Sequence, residues 1–387
     1  MIVFLSMVSS LGSMTHRIKT AALGHEKNSI HRAIAPSPYI FVWAGDDDQK
    51  DSDFLAVIDA LPSSPTYGEV ITTLPVGVKA TSPHHTEYEF PAGARLFANG
   101  WGAGRTFIID LNDPKKPKLA GQFTQTPEYG FPHSFARLPN GNVLATFQVR
   151  SKGYKPPGGL VELTAQGQVV RASSADVAGF NKNLLWPYSL TLLPKIDRVV
   201  TTSTEMGLPG WTAPSKHNSP NHEHTLTDTN HIQIWSLTEL RLLATIPLPA
   251  SPNGKDQLNP AEPRVLSDGS LYVNTFNCGL YRILGVEGLD PHAEFVYSFP
   301  GAGTKFECAV PVVIGQFWIQ TDPSLPGLIT LDVSNPGKPI EVSRLVFDKR
   351  FEKTHWIAAD RNASRVVVTG NNRSWVLIVN VDMKRGS

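Results

Sequence analysis

The sequence predicts an all-β fold, a seven-bladed β-propeller preceded by an irregular N-terminal arm. Three observations carry this prediction. Blocks of four short apolar strands recur along the chain, with 48 residues between His85 and His133, 45 between Glu262 and Glu307 and 48 between Glu307 and His355. That is the period of a propeller blade. Each of these blocks opens on a polar or ionisable residue, and a turn residue of Gly or Asn type follows seven or eight positions later: Gly93, Gly141, Gly269, Gly315 and Asn362. The third strands also share a motif, since Ile109-Asp110-Leu111-Asn112-Asp113-Pro114 returns as Leu331-Asp332-Val333-Ser334-Asn335-Pro336.

Taken in order, residues 1–35 read as a polar tail or surface arm carrying His16, His25 and His31, and 36–387 as the propeller. Strands 39–43, 54–58 and 69–74 make the first blade, separated by the acidic turn Asp46-Asp47-Asp48 and by Pro62-Ser63-Ser64-Pro65. The second blade takes strands 85–90, 95–99, 106–111 and 118–123, and the third 133–138, 143–147, 159–163 and 168–172. A degenerate fourth copy takes 188–193, 198–202, 231–237 and 241–246, with a turn at Lys195-Ile196-Asp197 and a Pro/His/Asn-rich excursion over 207–230. The fifth takes 263–266, 271–276, 279–283 and 294–299, and the sixth 308–313, 317–320, 327–333 and 340–347. The seventh has three strands, 355–359, 365–369 and 375–380.

Composition removes several functions. With 35 basic and 34 acidic residues the net charge is +1, which offers no footprint for nucleic acid or for an anionic membrane surface. No apolar run approaches the roughly 20 residues of a membrane span. Ile2 to Val8 is apolar but short, with no basic flank, so the location expected is cytoplasmic, with the periplasm as the alternative. Cys278 and Cys308 are the two cysteines, too few for a disulfide framework and at no zinc-ribbon or CxxC spacing; Cys308 is expected to point into a blade interface. There is no serine elbow, P-loop or dinucleotide fingerprint on a suitable element.

The first strand of each blade lines the central channel, so residues at equivalent positions form a ring. The candidate ring is His84 or His85, His133, Tyr188, Glu262, Glu307 and His355. Imidazoles from separate blades, with carboxylates beside them, suit a transition metal such as copper, zinc, iron or nickel. A single histidine at a strand entry is more often a hydrogen-bonded structural residue, and the same ring also describes a polar, water-filled channel. His222-Glu223-His224 has the look of a metal clip, yet its place in the excursion fits a solvated loop or a lid better.

Several stretches resemble one family: Ser37-Pro38-Tyr39-Ile40-Phe41-Val42, Leu61-Pro62-Ser63-Ser64-Pro65-Thr66-Tyr67, Pro83-His84-His85, Gly158-Gly159-Leu160-Val161-Glu162-Leu163, His231-Ile232-Gln233-Ile234-Trp235, Asn259-Pro260-Ala261-Glu262-Pro263-Arg264 and the 331–336 motif. They are similar to the selenium-binding protein / methanethiol oxidase family. The resemblance implies a seven-bladed propeller, a copper centre held by histidines, and oxidation of methanethiol to formaldehyde, hydrogen sulfide and hydrogen peroxide. His84, His85, His133 and Glu262 match family positions. The family's closing strand, with its His-Glu pair, and its selenium-linked cysteine motif have no counterpart in this sequence. His355 stands where that pattern has no histidine and is expected to replace the missing ligand; the arm at Ile2 to Val8 is expected to replace the strand.

The function expected is therefore a copper-dependent oxidase of a small thiol with dioxygen as electron acceptor. His84, His85, His133 and His355 are the expected metal ligands, with Glu262 and Glu307 orienting ligands or moving protons. Two alternatives stand beside it: a non-haem iron oxygenase of the carotenoid-cleavage type, and a binding propeller with no chemistry.

Overall fold

A computed structural model describes residues 35–207, 228–302, 308–322 and 325–386 apart from 361, 363, 372 and 385, together with the backbone of 2–5. Seven antiparallel meanders account for nearly all of it, and among the described residues there is no α-helix, only four single 3₁₀ turns. Blade 1 contains Tyr39–Ala44, Phe54–Asp59 and Val70–Pro75, and blade 2 Pro83–Thr86, Arg95–Gly100, Arg105–Asp110 and Lys118–Phe123. Blade 3 contains Tyr129–Arg137, Val143–Arg150, Gly159–Leu163 and Val169–Ser174; blade 4 contains Pro187–Leu193, Arg198–Ser203, His231–Ser236 and Leu242–Pro247. Blade 5 takes Pro260–Val265, Leu271–Thr275, Gly279–Leu284 and His292–Ser298, and blade 6 Pro311–Ile314, Phe317–Asp322, Gly327–Asp332 and Ile340–Val346. Thr354–Ala359, Arg365–Gly370 and Val376–Asn380 make blade 7.

Burial follows from this stacking. A second strand is covered on both faces by neighbouring blades, so Val143–Arg150 is buried at every position but the last. An outer strand has one face in water, and Lys118–Phe123 alternates exposed and half-buried residues with the period of two that a strand imposes. The apolar core is accordingly split into seams between blades. Phe97 and Ile108 of blade 2 pack with Phe135, Val143 and Val161 of blade 3, and Val200 and Ile234 of blade 4 with Val273 and Tyr281 of blade 5.

A second device joins the blades near the axis. The Asn99 side chain accepts from the His85 N–H of its own blade and donates to the His133 carbonyl of the next. Thr146 does the same between Ser134 and Tyr188, Thr202 between Ser189 and Ala261, and Asn274 between Glu262 and Ala309. In each case the ladder between first and second strand loses its register at that level: between Pro83 and Thr86, Pro187 and Leu190, Pro260 and Pro263, and opposite Ala145–Phe147 in blade 3. The inner strands therefore bulge, and the Asn or Thr side chain satisfies backbone groups that the ladder leaves behind. A bulge breaks the two-residue alternation, so consecutive residues can both face the axis.

This corrects the ring drawn from the sequence. The hydrogen bonds define two adjacent layers, one through the carbonyls of His133, Tyr188, Ala261 and Ala309, the other through the N–H groups of His85, Ser134, Ser189 and Glu262. The repeat count alone had merged them. Strand entries shift too: blade 3 begins at Tyr129 rather than 133, and blade 5 at Pro260 rather than 263.

Ring closure uses both ends of the described chain. Ile2–Leu5 pairs in parallel with Tyr39–Ala44, so the arm adds a fourth strand to the three of blade 1. At the seam of blades 7 and 1, Asp360 accepts from the Ser37 backbone N–H and hydroxyl and pairs with Arg365 at 2.7 Å, while Arg365 donates to the Ser37 carbonyl. The two cysteines, too few for a framework, form a single disulfide between Cys278 in a turn of blade 5 and Cys308 at the entry to blade 6. Both are fully buried.

Candidate metal centre

The bulged entries of blades 2 and 3 bring three imidazoles together at the axis. His84, His85 and His133 each offer a ring nitrogen, and these nitrogens all lie within 4.8 Å of one another. Ring centroids are 4.6 Å apart for His84–His85, 4.3 Å for His85–His133 and 4.9 Å for His84–His133. The Nε2 atoms of His84 and His133 face each other at 3.0 Å. That is hydrogen-bond distance, and it is also close to the roughly 3.3 Å between nitrogens bound about 2.0–2.1 Å from one tetrahedral ion.

The other ring nitrogens explain the orientation. His133 Nδ1 lies 2.9 Å from the Tyr188 carbonyl, an acceptor that requires an N–H there and leaves Nε2 with a lone pair. His85 Nδ1 lies 3.1 Å from the Ser134 hydroxyl and 3.2 Å from that of Tyr88. The Tyr88 hydroxyl donates to Glu262 Oε2 at 2.6 Å, so its oxygen is free to accept from His85, whose Nε2 has no hydrogen-bond partner. Burial first, then neighbouring imidazoles, hold His84, His85 and His133 well below the usual histidine range. All three are uncharged at neutral pH, the state in which imidazole binds metals.

His355 faces His84 with ring centroids 6.4 Å apart, outside the set of three, and its Nδ1 has no partner. Burial pushes it down to about 4. Glu262 is fully buried; its Oε2 accepts from Tyr88, from Ser189 at 2.6 Å and from Arg264 at 3.0 Å. Its Oε1 has no partner and stands 4.0 Å from His85 Nε2. Glu307 and the 222–224 clip lie outside the described residues. The donor set fits a transition metal on the ground that His85 Nε2, Glu262 Oε1 and His355 Nδ1 are buried polar atoms left without partners.

Sequence reasoning missed Tyr88, Ser134, Ser189, Arg264 and Trp101. Tyr88 lies between the Arg264 guanidinium, 4.1 Å from its ring centroid, and the Trp356 indole, stacked at 5.3 Å. Behind this layer a cavity of about 960 Å³ continues along the channel, lined by Phe41, Leu192, Val312 and Ala358. Arg264 could have been found as the residue two positions after Glu262, on the same face of a strand. Ser134 and Ser189 directly follow His133 and Tyr188, as His85 follows His84.

Comparison with known proteins agrees with the geometry at the level of family. The 56kDa selenium binding protein (SBP56) model matches residues 33–281. The chain belongs to the SBP56 family. Among its curated relatives are a methanethiol oxidase of Hyphomicrobium sp, 28% identical over 55% of this chain and 49% of that protein, and selenium-binding protein 2 of Arabidopsis thaliana, 26% identical over 72% and 56%. A methanethiol oxidase of Rattus norvegicus is 23% identical over 74% and 64%. This SBP56 chain thus spans less than two thirds of the length of each of these relatives. Among solved structures, a hypothetical selenium-binding protein from Sulfolobus tokodaii superposes with a TM-score of 0.74 at 16% identity, covering 91% of this chain and 90% of that one. A periplasmic gluconolactonase of Pseudomonas aeruginosa gives 0.62 at 14% identity, covering 90% and 93%. These likenesses establish the propeller fold of this SBP56 member.

Proposed function

We propose that the protein is a copper-dependent oxidase of a small thiol such as methanethiol, with His84, His85 and His133 as ligands and His355 as a further ligand. The observation that carries the reading is the convergence of three uncharged imidazoles whose ligand nitrogens lie within 4.8 Å of one another. Relatives named methanethiol oxidase support the substrate class. In the balanced reaction one methanethiol, one dioxygen and one water give one formaldehyde, one hydrogen sulfide and one hydrogen peroxide. The methyl carbon loses two electrons and dioxygen gains them.

Copper bound at this site supplies a lowered thiol pKa and an electron path to dioxygen. The protein's own groups have distinct tasks. Glu262 Oε1, which no donor occupies, takes the thiol proton, while Tyr88, Ser189 and Arg264 hold Oε2. Arg264 places a positive charge 3.0 Å from the buried Glu262 carboxylate. The Tyr188 carbonyl and the Tyr88 and Ser134 hydroxyls keep His133 and His85 in the tautomers that present Nε2. Trp101, edge-on to His133 at 5.4 Å, and Trp356, edge-on to His85 at 4.9 Å, keep water from the sides of the cluster.

The experiment is metal analysis of protein purified without a histidine tag, paired with product assays on methanethiol. Near-stoichiometric copper with release of hydrogen sulfide and hydrogen peroxide is expected, with copper lost in His133→Ala and lowered in His355→Ala. Iron in place of copper favours an oxygenase. No metal after reconstitution favours a binding propeller, and unchanged metal in both variants removes the site as assigned.

A further inference from the structure

The imidazole cluster is walled by aromatic rings on the side of Met206 and Gly207. Trp101 lies edge-on to His133 at 5.4 Å and 6.3 Å from His84, and Tyr188 covers the His133 ring at 4.0 Å. Phe131 packs edge-on to Trp101 at 5.4 Å, and Phe276 edge-on to Tyr188 at 5.5 Å. His84 is the one member of the three-histidine set that is not fully buried. Phe131 has a φ of +57°, a left-handed conformation seldom adopted by a bulky side chain. Such departures gather at functional sites.

Met206 bridges this wall. It packs against the Trp101–Val149–Trp186 cluster and also against the Tyr188–Ala261–Phe276 cluster, which supply the two rings flanking His133. Its backbone is held on both sides: the Met206 N–H donates to Gln148 Oε1 at 3.3 Å, and the carbonyl of the next residue, Gly207, accepts from Trp101 Nε1 at 3.3 Å. The backbone is thus fixed, while the unbranched thioether remains the adaptable part of an otherwise rigid aromatic rim.

We infer that Met206 is the residue that sets the size of thiol admitted to the histidine site. The inference rests on the reading of that site as a thiol-oxidising copper centre. Shortening the side chain opens space between the rings of Trp101 and Tyr188, and a longer alkyl group fills it. A pocket that gains room for methylene groups changes its discrimination by a factor of about ten or more.

The test compares methanethiol with 1-propanethiol in wild type, Met206→Ala and the near-isosteric Met206→Leu. Copper per chain is measured for each, together with kcat/KM for both thiols. Cobalt(II)-loaded protein is titrated in parallel with each thiol, reading the visible band, so that binding is measured without turnover. The expected result is a propanethiol-to-methanethiol ratio about tenfold higher in Met206→Ala, in both turnover and binding, with Met206→Leu close to wild type. A ratio unchanged in copper-loaded Met206→Ala overturns the inference. Met206→Val carries the same comparison if the alanine variant loses copper. Absence of thiol turnover in wild type, with the binding ratio still shifted, would remove the oxidase reading and keep Met206 as the filter.

Discussion

The Tyr88 hydroxyl is shared among three groups, and that sharing couples a carboxylate to an imidazole. It donates to Glu262 Oε2 at 2.6 Å and lies 3.2 Å from both His85 Nδ1 and Ser189 Oγ. Burial, then the Glu262 charge, raise its pKa, so it remains a protonated donor throughout the pH range of the protein. Tyr88→Phe keeps the ring between Arg264 and Trp356 but removes the hydroxyl. His85 then loses one of the two partners that fix its tautomer, and copper affinity is expected to fall by about 10- to 100-fold, measured by competition with a chelator. Wild-type affinity in Tyr88→Phe would show that Ser134 alone positions His85. Tyr88 was not legible as a site residue because it follows His85 by three, a spacing with no fixed meaning on a strand. Its side chain reaches the site by lying across the channel.

At the level of elements, the third strands of blades 3, 5 and 6 begin with Gly159, Gly279 and Gly327. Each is a point of close approach: a Cβ on Gly327 would run into the Leu345 carbonyl oxygen of the fourth strand, and one on Gly159 into that of Ser173. Gly327→Ala is expected to destabilise the protein by about 2–3 kcal/mol through overpacking, read as a lower urea midpoint. Gly93→Ala is the control, since nothing lies within 4 Å of its added methyl; equal midpoints would refute the argument. The blades could be counted from the sequence because turn glycines and strand lengths recur wherever the meander does. The bulges could not. They depend on Asn99, Thr146, Thr202 and Asn274 reaching from one blade to the next, a contact between segments 30 or more residues apart. That is why His85 and Glu262 were placed in one ring with His133 and Tyr188, although the hydrogen bonds separate them by a layer.

For the whole molecule the question is how a ring of seven sheets stays shut. The buried Ser37–Asp360–Arg365 cluster locks the seam of blades 7 and 1, and the disulfide locks blades 5 and 6 across a sequence separation of 30. Closing a loop of that length is worth about 3–4 kcal/mol in the chain-entropy account. The Cys278→Ser/Cys308→Ser double variant is expected to lose that much stability in urea unfolding. In the native wild type, dithiothreitol is expected to release no titratable thiol until denaturant opens the ring; thiols appearing under native conditions would contradict the burial of both sulfurs. The pairing was invisible beforehand because it requires knowing that the turn of one blade abuts the entry of the next.

The sealed position of this bond has a chemical corollary. Thiolates attack disulfides, and the thiol oxidation proposed above would surround the molecule with such nucleophiles. A crosslink on the surface would be exchanged away by the very compounds being consumed and produced. Placed where neither sulfur meets solvent, it lies out of reach of such attack.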